Sequence, residues 1–391
     1  MEATPNQRVG RYETTISGGE TVKAYIPPPL PPDPPLRLER LQLHLERANQ
    51  ALGRLDGLTA VLPGVPQFLY AYVRKEAVLS SQIEGTQSSL SDLLMHEQDG
   101  TPGVPLDDVI EVSNYVAALE HGMNRLREGF PLSLRLLREI HGVLLRRGRG
   151  GEKDPGEFRR SQNWIGGTRP GNALFVPPPP NLVMPCMGDL ELFLHRRDDG
   201  LPVLVRAGLA HVQFETIHPF LDGNGRLGRL LITFLLWEAG VLQQPVLYLS
   251  LYLKTHRAAY YDLLTRVRTE GSWETWLEFF LDGVTETCGQ ANESARRIMA
   301  LLDEDRERIE ESGTGAATLL RVHQYAATRP ILTIKRTAEA LGIAFPTASS
   351  AIGQLRDLGV LSEVTRRKRG RIFRYDRYLA ILEEGTEPLR R

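Results

Sequence analysis

Between Leu36 and Met299, apolar residues recur at three- and four-residue spacing in one segment after another, which restricts the body of this chain to packed helices. Leu38, Leu41, Leu45 and Ala48, followed by Leu52 and Leu55, place a helix over 36–62, ended by Pro63-Gly64-Val65-Pro66. A second helix is expected over 67–81, with Gly85 ending or kinking it. Others are expected over 107–128, 133–147, 189–196, 202–217, 226–239, 255–268 and 273–299, the last continued by a charged helical stretch through Arg308. The first forty residues lack such periodicity. The run from Pro27 to Leu36 removes too many backbone donors for a helix or inner strand, and reads as an extended polyproline strap on the surface. Glu311-Ser312-Gly313-Thr314-Gly315 is the clearest linker, and no repeat of 20–50 residues is visible.

Charge bounds the function. Among 391 residues, Lys+Arg 47 against Asp+Glu 48 gives a net charge of −1, which excludes a whole-chain polycation on nucleic acid and an acidic solvating tail. Any charged site must therefore be local. Two cysteines, Cys186 and Cys288, exclude a disulfide framework or a four-cysteine metal site. The N-terminus lacks the apolar run of a signal peptide. The longest apolar stretch, Leu230 to Trp237, stops far short of the roughly 20 residues a membrane span needs, so a cytoplasmic chain without membrane contact is expected.

The most informative stretch is His218-Pro219-Phe220-Leu221-Asp222-Gly223-Asn224-Gly225-Arg226-Leu227-Gly228-Arg229, a short turn between two apolar helices. Glycines let the backbone approach a ligand closely, and amides leading into a helix N-terminus form an anion-binding nest. Arg226 and Arg229, three apart, project from the same side of the first helical turns and can hold phosphate oxygens. Asp222 offers the oxygen ligand Mg²⁺ takes when it bridges phosphates, and His218 is suited to removing a proton near neutral pH. Each residue alone is ordinary; the conjunction reads as a phosphate site with a base and a metal ligand. Kinase-like, nucleotidyl-transfer and hydrolytic chemistry all fit it.

These twelve residues resemble, without departure, the signature of the Fic (Fido) family, His-x-Phe-x-Asp/Glu-Gly-Asn-Gly-Arg-x-x-Arg, and the resemblance extends over about 20–290. It implies transfer of AMP from ATP to a hydroxyl of Ser, Thr or Tyr on a target protein or on the chain itself, with release of pyrophosphate. His218 would then be the catalytic base, and Asp222 would hold Mg²⁺. Gly223, Asn224 and Gly225 would cradle the phosphates, with Arg226 and Arg229 on the β and γ groups, and the nucleotide site would run through Leu227 and Gly228. Relatives acting as kinases carry Lys where Gly225 stands, so Gly225 favours AMP transfer. The helix end Ser80-Ser81-Gln82-Ile83-Glu84-Gly85 resembles the family's inhibitory motif, Ser/Thr-x-x-x-Glu-Gly/Asn. It implies that Glu84 pairs with Arg229 in place of the γ-phosphate, with Ser80 and Gly85 completing an inhibitory helix N-terminal to the core. A glutamate in a last helical turn opposes the helix dipole, so a cationic partner is expected on physical grounds as well.

The loop from Gly166 to Pro180 resembles the family's flap. Its apolar stretch Ala173-Leu174-Phe175-Val176 reads as one arm of a small hairpin whose edge can pair with an extended target segment. Tyr260 and Tyr261 resemble a pair lining the adenine side; Arg268 departs from the asparagine of some relatives. Trp273 and Trp276 with Phe279 and Phe280 read as core packing.

Downstream of the linker, helices over 316–327, 333–340 and 347–357, then a strand, the turn Arg366-Arg367-Lys368-Arg369-Gly370 and Arg371-Ile372-Phe373-Arg374-Tyr375, resemble a winged helix-turn-helix. Its recognition helix would carry Thr347, Ser349, Ser350 and Gln354, and Arg366 to Arg371 would form a basic wing suited to phosphates. The expected architecture is mainly α: an N-terminal region over 1–110 with strap and inhibitory helix, a Fic catalytic domain over 111–290, a helical linker over 291–313 and the winged module over 314–391. Two functions follow. One is a protein adenylyltransferase autoinhibited by Glu84; the other is a DNA-binding regulator using the Fic core as a nucleotide sensor. A homodimer and DNA are further candidate partners.

Overall fold

The computed structural model describes residues 8–61, 65–98, 104–148, 150–197, 199–313, 315–365 and 370–388. It opens with an antiparallel pair, β1 (Arg11–Ser17) and β2 (Glu20–Ile26), in register from Arg11 opposite Ile26 to Ser17 opposite Glu20. Gly18 and Gly19, both at positive φ, form its two-residue turn. This hairpin is absent from the sequence expectations because β2 does not alternate cleanly: Val22, Ala24, Tyr25 and Ile26 are all buried.

The remaining elements are α1 (Leu38–Val61), α2 (Val65–Ile83), α3 (Leu90–His96), α4 (Leu106–Arg127), α5 (Leu134–Leu144), α6 (Pro180–His195), α7 (Val203–Ile217), α8 (Asn224–Glu238), α9 (Ser250–Thr255), α10 (Arg257–Glu270) and α11 (Trp273–Glu311). After them come α12 (Ala316–Thr328), β3 (Ile331–Thr333), α13 (Ile334–Leu341), α14 (Phe345–Asp357), β4 (Ser362–Glu363), β5 (Ile372–Arg374) and α15 (Asp376–Glu383). The molecule is mainly helical, as its periodicity predicts. Helix α6 begins at Pro180 rather than near Asp189, since a proline at the first helical position loses no hydrogen bond. The 273–299 helix and its charged continuation form one unbroken helix. Among the described residues no helix is long and apolar enough to cross a membrane.

Two compact units emerge, each discontinuous in sequence: Met1–Gly53 with Ser113–Thr287, and Arg54–Val112 with Cys288–Arg391. In the first, α7 is the central element, buried from Leu204 to Ile217, with α8 packed against it. The indole of Trp276 donates to the carbonyl of Gly208 at 3.0 Å. A Cβ at Gly208 would stand 2.9 Å from Leu277, so glycine lets α11 come this close. Trp273, Trp276 and Phe280 are buried, as core packing requires. The proline strap is fastened rather than loose. The Gln213 amide donates to Pro28 O at 2.8 Å, and Arg8 joins Glu274 at 2.8 Å while donating to Pro34 O at 2.7 Å.

In the second unit, α2 packs against α12 and α15, and the buried Gln82 amide donates to Ser88 O (2.9 Å) and Thr386 O (2.8 Å). The three-stranded antiparallel sheet has the order β3-β5-β4. Arg371 is bound to Glu363 through both guanidinium and carboxylate (3.0 and 2.5 Å). Arg366 to Arg369, the predicted wing tip, lie outside the described residues.

Candidate active site

The site is built at the junction of α7 and α8. Helix α7 ends in His218, whose φ of 49° and ψ of 60° are left-handed, with its N–H donating to Phe214 O at 2.9 Å. For a non-glycine residue this conformation costs about 1–2 kcal/mol, so surrounding contacts must hold it. Arg159 does. Its Nε donates to His218 O at 2.9 Å, its Nη2 to Pro178 O at 2.5 Å, and its backbone N–H to Pro219 O at 2.9 Å. Burial lowers its pKa to about 10, still cationic at neutral pH.

The loop is then closed on itself. The Asn224 side chain accepts from Phe220 N–H (2.9 Å) and donates to Phe220 O (2.8 Å), and Asn163 donates to the same carbonyl at 3.0 Å. From α5, His141 stacks on Phe220 with centroids 3.7 Å apart. Its Nδ1 accepts from Gly156 N–H at 2.8 Å, so Nε2 carries the proton and donates to Asp222 O at 3.0 Å. Burial lowers the His141 pKa to about 4, which keeps this tautomer neutral. Gly223, at φ 74°, turns the chain into α8, where the first-turn amides face forward without intrahelical partners. The helix starts at Asn224, two residues earlier than its periodicity predicts.

Asp222 stands at this N-terminus with its side chain 37% exposed, its Oδ1 accepting from Gly223 N–H at 2.6 Å and lying 3.3 Å from Arg226 Nη2. Arg226 and Arg229 project from α8 although both are buried; Leu227 is fully buried and anchors the turn. Gly228 is required by packing, since a Cβ there would lie 2.6 Å from Glu215 Oε1. Its carbonyl accepts from His211 Nδ1 at 3.0 Å, which leaves His211 Nε2 to accept from the Tyr260 hydroxyl at 2.9 Å. The predicted tyrosine pair therefore splits. Tyr260 is 1% exposed and belongs to the core beneath α8, whereas Tyr261 is 38% exposed with Arg257 over its ring. The Asn224 side chain is taken up in closing the loop on Phe220.

The predicted hairpin arm is paired. Ile165 and Phe175 form an antiparallel bridge, with Leu174 88% exposed. Glu84 sits in the second unit as the C-cap of α2. Thr86 N–H donates to Ser81 O and Gly85 N–H to Gln82 O, a Schellman closure with Gly85 at φ 104°; Ser80 is buried. No group of three or more His, Cys, Asp or Glu side chains that could hold a metal occurs among the described residues. Sequence spacing had no means to reveal Arg159, His141 and Asn163: each acts on a backbone group far away in the chain, which leaves no local pattern.

Residues 42–124 match the family model described as Fic/DOC family N-terminal, and residues 131–236 match that of the Fic/DOC family itself. Over these two stretches the chain is similar to the Fic/DOC family. It is 31% identical over 258 residues to a protein adenylyltransferase Fic of Culex quinquefasciatus, covering 64% of this chain and 46% of that protein. With the same-named protein of Aedes aegypti it shares 32% over 265 residues, 64% and 49% of the two chains. The chain thus spans about half the length of these curated relatives. Its fold resembles a Fic family protein from Desulfovibrio desulfuricans G20 (TM-score 0.56, 20% identity, 90% of this chain and 98% of that one). It also resembles a Fic domain-containing signalling protein from Bacteroides thetaiotaomicron VPI-5482 (TM-score 0.52, 19% identity, 65% and 97%).

Proposed function

We propose that this chain transfers AMP from ATP to a hydroxyl side chain of a target protein or of itself. The observation that carries the reading is the α7–α8 junction: a base, a carboxylate and two arginines on one loop and helix turn, fixed by Arg159, His141 and Asn224. The acceptor hydroxyl oxygen attacks the α-phosphorus of ATP, the bond from that phosphorus to the β-bridging oxygen breaks, and pyrophosphate leaves. His218 takes the hydroxyl proton. The first-turn amides of α8 with Arg226 and Arg229 hold the phosphates, consistent with a reaction dominated by positioning and charge neutralisation. Asp222, partly exposed at the helix N-terminus, suits a hard divalent cation whose other ligands are phosphate oxygens and water, and Mg²⁺ there would neutralise phosphate charge. Glu84 would pair with Arg229 and compete with the γ-phosphate. Two curated relatives named protein adenylyltransferase Fic support the activity.

The test is direct. Full-length protein incubated with Mg²⁺ and ATP labelled at the α-phosphate is expected to become labelled, or to label a co-purified protein, while ATP labelled at the γ-phosphate leaves both unlabelled. Incorporation of γ label instead would replace this reading with a kinase.

A second reading concerns the partner. The order α12-β3-α13-α14-β4-β5, with β5 between β3 and β4, supports a winged helix-turn-helix with α14 as recognition helix, its Thr347, Ser350 and Gln354 exposed. Duplex DNA is then a candidate ligand, alongside a second copy of the chain, and the cytoplasm is the candidate compartment. Duplex DNA is expected to shift the protein in a gel at 50 mM salt and not at about 300 mM, since phosphate contacts release counterions. Binding insensitive to salt, or none at low salt, would remove DNA from the list of partners.

A further inference from the structure

The flap does not stand alone. On one edge, Ile165 exchanges hydrogen bonds with Phe175 (2.8 and 3.1 Å). On the other, Tyr25 N–H donates to Val176 O at 2.9 Å, so β2 runs beside the Ala173-to-Val176 arm. Val22, Ala24 and Val176 form one buried apolar cluster, with Ala173 packed onto it. From α10, the Arg268 guanidinium lies 3.9 Å from the centre of the Phe175 ring, and the Tyr25 ring lies 6.0 Å from it.

The flap's tight turn, Pro170–Asn172, is gripped by the first residue of β2. Glu20 Oε2 accepts from Gly171 N–H at 2.7 Å, and Oε1 accepts from Arg169 Nη1 at 2.5 Å. A Cβ at Gly171 would stand 2.1 Å from that carboxylate oxygen, so a glycine is what admits it. Asn172 Oδ1 accepts from both Thr168 N–H and Arg169 N–H at 3.0 Å, which shapes the turn Glu20 holds. The bond to Arg169 also keeps the Glu20 carboxyl below the usual carboxylate range, hence charged at neutral pH.

We propose that the β1–β2 hairpin is a fixed outer part of the flap, and that Glu20 is a positioning residue that sets where the flap presents an acceptor segment. Glu20 acts through the turn: carboxylate to Gly171 and Arg169, turn to arm, arm to acceptor. Exposed ion pairs add little stability, so its effect is geometric. A displacement of about 1 Å far from the chemistry can lower a rate by roughly 100-fold, and a loosened rather than shifted flap is expected to cost about tenfold. The catalytic consequence rests on the transferase reading above; the clip itself does not.

Two measurements test it in the full chain. Deuterium exchange of the 165–176 peptide is expected to quicken about tenfold in Glu20→Ala, less in Glu20→Gln, whose amide oxygen still accepts from Gly171, while peptides of α7 stay unchanged. With Glu84→Gly protein as enzyme, the His218→Ala chain as acceptor and α-labelled ATP, kcat/KM for the acceptor is expected to fall about tenfold in Glu20→Ala. Recovery should be partial in Glu20→Gln, with ATP binding within twofold. Unchanged flap exchange overturns the proposal. So does faster exchange with unchanged kcat/KM, or a loss of ATP affinity that matches the loss of rate. If the Glu84→Gly enzyme labels neither the His218→Ala chain nor a co-purified protein, the transferase reading fails, and the exchange experiment alone decides the clip.

Discussion

Glu84→Gly is expected to raise incorporation of label from α-labelled ATP by about 10- to 100-fold, the range of a coupling of roughly 1–3 kcal/mol between an inhibitory contact and a productive ligand pose. The cause lies at the helix end. Glu84 is the C-cap of α2, where unsatisfied carbonyls already concentrate negative potential. A carboxylate costs stability there unless a cation answers it, and Arg229 is the cation the inhibitory resemblance implies. Removing the carboxylate leaves the cap intact, because the closure is made by backbone groups of Gly85 and Thr86 and needs no side chain at position 84. The variant should therefore keep its thermal midpoint within a few degrees while its transfer rate climbs. Glu84→Gln, equal in size but uncharged, should fall between. A rate in Glu84→Gly equal to that of the parent protein sinks the brake.

What the sequence made legible follows from the range of each interaction. Helix positions could be read because burial of one face imposes a local period, and α7, α8, α12, α13 and α14 fall within a few residues of expectation. The loop could be singled out because His218, Asp222, Arg226 and Arg229 lie within one short stretch. Helix α3 had a readable signal that periodicity alone overlooks: Ser89 and Asp92 form a capping box ahead of Leu90, Leu93 and Leu94. The supporting residues had none. Arg159 and Asn163 meet the loop through carbonyl oxygens some sixty residues away, and Glu20 meets Gly171 across 151 positions. Nor can a reading of linkers along the chain show that 54–112 joins 288–391 in one compact unit, since that grouping is made by α2 packing on α12 and α15. The split of Tyr260 from Tyr261 has a similar cause: adjacent helical residues point about 100° apart, so one reaches His211 while its neighbour meets solvent.

The second large effect is the loss of transfer in His218→Ala, expected to lower the rate by about 10²- to 10⁴-fold, the usual contribution of a positioned general base. Made in the Glu84→Gly background, the loss remains measurable even at its upper end. The backbone must be separated from the base, because His218 is left-handed at φ 49° and alanine is disfavoured there. Asparagine tolerates that conformation better, so His218→Asn keeps the turn while removing the base. Both variants should lose activity to the same degree and differ in thermal midpoint, with His218→Asn the closer to the parent protein. ATP affinity should stay within about twofold, since the proposed phosphate contacts come from α8 rather than from the imidazole. If His218→Asn retains transfer within tenfold of its parent, the proton has another acceptor, and the role assigned to His218 is wrong even though the nucleotide site stands. The Arg159 contact to His218 O then becomes informative: Arg159→Met, which loosens the loop but spares the imidazole, should reduce the rate less than His218→Asn if the imidazole is the base, and as much as His218→Asn if the histidine serves only to shape the turn.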